Sequence, residues 1–506
     1  MTACRLLSLA LVVMTLDFFS LGINAQENKT STTDAITQYG ITWKFDKPTP
    51  SGQFVNGDYW VVGPVKIIGI DPPSVERVGT TTITGFALGG TDPVPRTMNG
   101  SMLNPLPTAG APKEGKQGYD SDMYEWHPKL GRKYPGNYDA SLNVALGVNP
   151  THPLVLPPDS SLISSISDEK GTRPQIKTAA ILTVLASIPP DNGATSFRPP
   201  YVGSSKPLYS IKGLRKDRLP NLPLVANMPD LKAVINQFQR PWIDHFNHHG
   251  DGTQFSSPPE NMPTYGLDYC IAVGNASLML MLKESDLVTK YGQNKDALLI
   301  RLVQVGIDLY HSSENGGFWR ANGGLNSGRK WPILFAGLML DNPRMQTIGS
   351  RSNQMPFWGF HEDCQTAYLK KEDIDVTHSP KWNPDKRAKQ LIPYEATDVN
   401  LPEWCIGGYS SESELVKTTS LNKFFAVPYR SINGPAFVNI VLPVLLMGQK
   451  EAWKHDALFD YTDRYVAWAP QENPTWNAEQ KALYTYGGKF QQAMWEAYRG
   501  NKPGLK

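Results

Sequence analysis

Cysteine is scarce in this chain of 506 residues. One of the four stands at position 4, ahead of an apolar run, and the others, Cys270, Cys364 and Cys405, are widely spaced. Three at such spacing build neither a disulfide framework nor a zinc knuckle, so each is expected to be a small buried hydrophobe. Net charge is scarce as well: 49 basic and 47 acidic residues leave +2, and only 19% of residues are charged. That balance excludes a globally basic nucleic-acid binder, and an acidic ligand has to be held by local cations. No segment beyond the N-terminus is apolar for the roughly eighteen residues a membrane-spanning helix needs. G-x-S-x-G, G-x-x-x-x-G-K-[ST] and G-x-G-x-x-G are all missing, so nucleophilic serine and nucleotide chemistry have no support. H-E-x-x-H is missing too. The segment HFNHHGD, from His245 to Asp251, has no carboxylate at helical spacing and reads as a polar ligand loop rather than a metal site. No cofactor is called for.

What is present begins with an export signal. Arg5 precedes the apolar run from Leu6 to Met14, small residues follow at Gly22 and Ala25, and the chain turns polar at Gln26. The expected organisation is a signal peptide over 1–25, a disordered leader over 26–40, a β-rich domain over 41–214 and a helical domain over 215–506, in a secreted or periplasmic protein. The runs TWKF, YWVVGPVKIIGI, TTTITGFAL, LNVALGV and AAILTVLASI have strand length and are separated by Pro, Gly, Asn and Asp clusters. This predicts a β-sandwich-like domain. From Pro220 the pattern turns helical, with Asn227 and Asn294 as expected N-caps. Residues 267–282 are apolar nearly all round, as are 332–340, whereas 231–242 are amphipathic. Near-wholly apolar helices alternating with amphipathic ones predict an α/α-barrel (toroid) of two concentric helical rings.

Within that half, LYHSSENGGFWRANGGLNSGRKWPI (Leu309 to Ile333) carries two Gly-Gly pairs and the cations Arg320, Arg329 and Lys330 between two apolar runs. Such a loop on rigid helices is where binding and catalytic groups gather. Tyr, His, Asn and Arg are enriched in this and neighbouring loops: Tyr265, Tyr310, His311, Arg320, Asn322, Arg329, Arg351, His361, Tyr368, Tyr394, Tyr409, Tyr429 and Arg430. The set suits β-elimination from a uronic acid. Cations or neutral donors stabilise the carboxylate as enolate charge develops. A Tyr or His takes the C5 proton, and another protonates the departing glycosidic oxygen. Two alternatives stand beside a lyase. One is a non-catalytic acidic-glycan-binding protein. The other is an α/α-barrel glycoside hydrolase using paired acids such as Glu362, Asp363, Glu403, Glu412 and Glu414.

The segments FVNGDYWVVGPV, FRPPYVG, NMPTYG, GRKWPILFAGLML, EDCQTAY, LPEW and YRSINGPA span most of the mature chain. Together they resemble the secreted alginate and glucuronan lyases of polysaccharide lyase family 38. The resemblance implies a helical-barrel lyase that cleaves 1,4-linked uronates without an essential metal. It implies Tyr368 as base, acid or both, with His311 as its partner, Asn261 or Asn322 facing the carboxylate, and Arg320 beside it. Arg329, Lys330 and Arg430 would bind neighbouring uronates, with Tyr265, His245 and Tyr429 as further substrate contacts. Relatives carry Arg in the segment written here YGLDY and His in the segment written here GGLNSGRK. This chain has Leu267 and Leu325 there, which puts specificity or activity in question.

Overall fold

The computed structural model describes residues 31–79, 94–107, 116–121, 124–127, 132–135, 138–169, 176–245, 259–321, 323–352, 359–380, 393–405 and 429–500. The architecture mixes strands and helices, with most strands preceding the first α-helix. In chain order the strands are β1 (Ser31–Gln38), β2 (Ile41–Gln53), β3 (Tyr59–Val62), β4 (Val65–Asp71), β5 (Val75–Gly79) and β6 (Val94–Met98). They continue as β7 (Ser101–Leu103), β8 (Tyr124–His127), β9 (Arg132–Pro135), β10 (Leu154–Leu156), β11 (Ser160–Ser167) and β12 (Ile176–Leu185).

Eight of these form one sheet in the order β10-β4-β2-β3-β12-β11-β7, with β1 paired to β2. β1 and β2 are antiparallel across Tyr39 and Gly40, both at positive φ, which is the backbone of a two-residue hairpin turn whose twist matches its strands. This corrects the expected disorder over 31–40, since residues 31–38 are laddered to β2, while 26–30 lie outside the described residues. β12 runs parallel to β3 and is buried on both faces. Ala180, Leu182 and Val184 join Trp43, Phe45 and Ile67 in one cluster, while Ala179 and Ile181 join Tyr201 and Ile243 in another. The period of two along a strand makes this division. LNVALGV (142–148), expected as a strand, instead runs from the end of a 3₁₀ helix (Ala140–Leu142) through a turn over 144–147. There Asp139 caps Ser141 N–H, and Asn143 Oδ1 takes the N–H groups of Ser101 and Ala145, replacing a ladder. TTTITGFAL lies outside the described residues. β8 and β9 pair with each other as a separate antiparallel two-stranded sheet.

The helices follow as α1 (Leu231–Gln237), α2 (Gly266–Leu280), α3 (Glu284–Tyr291), α4 (Asp296–Glu314), α5 (Lys330–Met339), α6 (Pro343–Gln346) and α7 (Ile348–Ser352). Next come α8 (His361–Gln365) and α9 (Lys371–Thr377), with the short strands β13 (Thr366–Tyr368) and β14 (Pro402–Trp404) paired between them and α10 (Arg430–Leu446). The last are α11 (Lys450–Trp453), α12 (Asp456–Glu472), α13 (Ala478–Lys481) and α14 (Lys489–Tyr498). Every residue of α5 and nearly all of α2, α4 and α10 are buried, as all-round apolarity demands. α4 packs on α5, and α10 packs on α2 and α12. The cap of α1 is Asp230, not Asn227, because Asn227 takes a left-handed conformation three residues earlier. The cap of α4 is Lys295, not Asn294, which stands one residue earlier and accepts from Asp296 N–H. The final helical stretch breaks at Gly487 and Gly488, both at positive φ. Cys270, Cys364 and Cys405 are buried, and none of them forms a disulfide among the described residues.

Arg198 joins sheet to helices. Its guanidinium is fully buried, donating to Asp58 between β2 and β3 (2.6 Å) and to Asp308 of α4 (3.1 Å through Nη1). Burial works against its charge, but the two carboxylates outweigh that and hold the group above the ordinary arginine value.

Candidate functional site

Three helices begin around the glycine-rich loop that links α4 to α5. Gly266 N–H, at the start of α2, donates to Gly324 O (3.0 Å). Asn433, in the first turn of α10, donates through Nδ2 to Gly323 O (2.7 Å). The loop then runs through Gly328 straight into α5. The N-caps of these helices are Tyr265, Arg329 and Tyr429, none of which makes a side-chain capping hydrogen bond. First-turn amides and aligned peptide dipoles therefore give this region a positive bias that favours a carboxylate.

Two half-buried tyrosines cover the glycines. A Cβ at Gly324 would stand 2.6 Å from the Tyr265 hydroxyl and 2.7 Å from Ile432, and one at Gly323 would stand 3.0 Å from the Tyr429 ring. Glycine is thus required for close approach, and at Gly323 also for its φ of 54°. Burial, with Tyr429 and Asp268 nearby, raises Tyr265 above the ordinary tyrosine value, so it keeps its proton at neutral pH. Gly324→Ala should displace Tyr265 while the protein stays folded. Near-ultraviolet circular dichroism and the reactivity of the phenol should change, and an unaltered tyrosine environment would refute this packing.

Beneath the tyrosines lies a buried polar network on α8. His361 is fully buried, and burial pushes it down to about 4, so the imidazole is neutral. Asn326 N–H can only donate, and it meets Nδ1 at 3.3 Å, which puts the proton on Nε2, facing Asn433 Oδ1 at 3.2 Å. Asn433 Nδ2 donates to the carbonyls of Gly323 and Tyr429 (3.1 Å to the latter), and Gln365 Nε2 also donates to Gly323 O (2.8 Å). Trp404 Nε1 fixes Gln365 in turn, at 2.8 Å. The network sets the height of the glycine pair and the position of Tyr429.

Glu362, next to His361, is fully buried and accepts from Gly328 N–H at 3.3 Å. Burial, then the nearby Asp363, pushes its carboxyl up to about 7. A folded value above the ordinary 4.5 means the native state holds the proton more tightly. The contribution of Glu362 to stability is full below pH 4.5 and is lost as pH rises through 7. Glu362→Gln should therefore gain on the native protein between pH 5 and pH 8, by on the order of 3 kcal/mol in urea denaturation. A difference that does not depend on pH would contradict the assignment.

The expected site residues divide into several groups. Tyr265 and Tyr429 come together at the glycine pair. Arg320 is on the same loop, half-buried, and its carbonyl accepts from Asn326 Nδ2. Asn322 lies outside the described residues. Arg329, Lys330 and Arg430 do not face a polymer, a correction with a common cause: each is buried on a carboxylate. Arg329 donates to Asp244 (2.9 Å) and lies over the Tyr269 ring. Lys330 bonds Asp363 and Trp453 O, and Arg430 bonds Glu403. His245 is also interior, edge-on to Tyr119 and Tyr201, and the rest of HFNHHGD lies outside the described residues.

Tyr368 and His311 sit in different neighbourhoods. Tyr368 donates to Asp460, and burial with that carboxylate raises its pKa. His311 Nε2 pairs with Tyr209 (2.9 Å), and burial, Lys206 and Arg344 push it down to about 4. Asn261 donates to Gln237 O and Arg240 O. Leu325 is buried in the loop, and Leu267 is half-buried against the helical core. Sequence reasoning missed Gln365 and Asn433. Their signal is the spacing of four from His361 and from Tyr429, which returns each amide to the preceding helical turn.

No helix among the described residues is long and apolar enough to cross a membrane, and no three metal-ligating side chains gather among them. No family model, curated protein or solved structure matches the chain.

Proposed function

We propose that the protein is a secreted or periplasmic polysaccharide lyase that cleaves 1,4-linked uronate polymers, alginate or glucuronan, by β-elimination. The observation that carries the reading is the pair of half-exposed tyrosines, Tyr265 and Tyr429, over a glycine pair where three helices begin. The uronate carboxylate sits toward the helix N-termini, whose dipoles stabilise the charge that develops as the C5 proton leaves. Tyr265, held protonated, gives its proton to the departing O4. Tyr429, beside the other glycine, takes the C5 proton. Atoms balance: C5–H and C4–O break, a C4–C5 double bond forms, and the leaving sugar gains a hydroxyl. Tyr368 is a weaker choice of base, because a phenolate there would face the Asp460 carboxylate.

The same reading takes the helical part as an α/α-barrel, supported by the near-wholly buried α2, α5 and α10 beside the amphipathic α12. It takes the strand-rich part as sandwich-like. Export is supported by the N-terminal residues alone. Incubation with alginate, glucuronan, pectate and ulvan should generate an unsaturated product that absorbs in the ultraviolet on one of them; a folded protein silent on all four would refute the reading. Leu267 and Leu325 favour a second reading, a non-catalytic acidic-glycan-binding protein, which would be retained on a uronate gel without cleaving it. Of the acids named for the hydrolase alternative, Glu362, Asp363 and Glu403 are interior, and Glu412 and Glu414 lie outside the described residues.

A further inference from the structure

The three helices that begin around the glycine pair do not begin alike. α5 and α10 carry no acid in their first turns, whereas α2 carries Asp268. The starts of α5 and α10 therefore keep their positive bias toward a carboxylate, and that of α2 is offset by its own acid. Asp268 stands three residues beyond Tyr265, the N-cap of the same helix, near enough for its charge to push the phenol's pKa up.

An acid in the first turn of a helix often accepts from a backbone N–H of that turn. Asp268 is exposed and makes no hydrogen bond or ion pair among the described residues. Partial burial alone holds its carboxyl above the ordinary aspartate value, with no cation or donor acting against it. An ionised carboxylate offers only lone pairs, so what it lacks is hydroxyl or amide donors. The groups that strip water from Asp268 supply none. A second carboxylate brought to it would be repelled.

A 1,4-linked uronate chain carries donors and carboxylates in the matching order. Successive rings of such a chain are turned over relative to one another. The carboxylate edge of one unit therefore lies on the same side as the C2–C3 diol edge of the next. We infer that Asp268 accepts from the C2 and C3 hydroxyls of the leaving unit, while the carboxylate of the unit being cleaved faces the starts of α5 and α10. The leaving unit is the one that adjoins Tyr265, whose proton goes to O4. This inference rests on the elimination reading for the identity of the polymer. It adds a requirement that elimination alone does not impose: the C2 and C3 hydroxyls must be free, so a polymer acetylated there is rejected.

The test is calorimetric titration of the full chain carrying Tyr265→Phe, in which cleavage is expected to be slowed. The ligands are mannuronate and glucuronate tetrasaccharides, each plain and O-acetylated. The tighter plain tetrasaccharide should lose at least about tenfold in affinity on acetylation, and about tenfold when Asp268→Ala is added. The two losses should not add, because they remove the same hydrogen bonds. In the otherwise native chain Asp268→Ala should raise KM about tenfold and leave kcat within about twofold, with the melting temperature kept. An acid that only supports its helix would move neither KM nor the response to acetylation. An acid that only repels a polyanion would make Asp268→Ala and Asp268→Asn bind more tightly. Either result overturns the inference, as do additive losses or no binding of either plain tetrasaccharide. Binding that depends on Asp268, with no ultraviolet-absorbing product from the native chain, would sustain this inference and remove elimination.

Discussion

Tyr265→Phe is expected to lower β-elimination by about 10²- to 10⁴-fold, the range that loss of a positioned acid or base costs. KM should move little, because the ring keeps its place over Gly324 and only the hydroxyl goes. Fold should be kept as well, since the phenol lies half-exposed where α2 begins. The companion is Tyr368→Phe. The family resemblance makes Tyr368 the acid–base residue, whereas its bond to Asp460 makes it a poor one. Initial rates of ultraviolet-absorbing product from the two variants decide between them. Collapse in Tyr368→Phe with activity retained in Tyr265→Phe would remove Tyr265 from the mechanism.

Arg198→Met is expected to cost about 3–5 kcal/mol of stability, because it leaves Asp58 and Asp308 charged, buried and unpaired. Combining it with Asp58→Asn and Asp308→Asn should recover most of that loss, since no naked charge is then left inside. Equilibrium urea unfolding measures both. The single variant should also uncouple sheet from helices, turning one unfolding transition into two. A single variant within about 1 kcal/mol of the native protein would show that water or another group already serves these carboxylates.

What the sequence disclosed follows from which force dominates locally. α2 and α5 are legible because burial on all sides writes apolar residues at every position. The glycine pair is legible because a side chain would strain the φ of Gly323 and push Tyr265 away from Gly324. The role of the cations is not: Arg329, Lys330 and Arg430 look like ligand groups until their partners come into view 85, 33 and 27 residues away in sequence. β11, written SSLISSIS, hides from a hydrophobic pattern because most of its serines, Ser161 excepted, are satisfied inside. Ser164 Oγ accepts from Trp43 and meets Ser101 Oγ, and Ser165 donates to Gly100 O. β1 hides for a related reason. It is a polar strand on which only Ile36 and Gln38 are buried, held by its turn and ladder rather than by a core face.

The carbonyls of Gly323 and Gly324 are held by amides from three separate stretches of chain: the start of α2, Gln365 of α8 and Asn433 of α10, the last 110 residues away. No local turn can prepare that geometry, so the loop takes its working shape only once all three helices have docked. Acquisition of activity during refolding is therefore a report on completed assembly. It should lag the recovery of helix content measured on the same sample, because the cost of bringing distant segments together must be met before their hydrogen bonds can form.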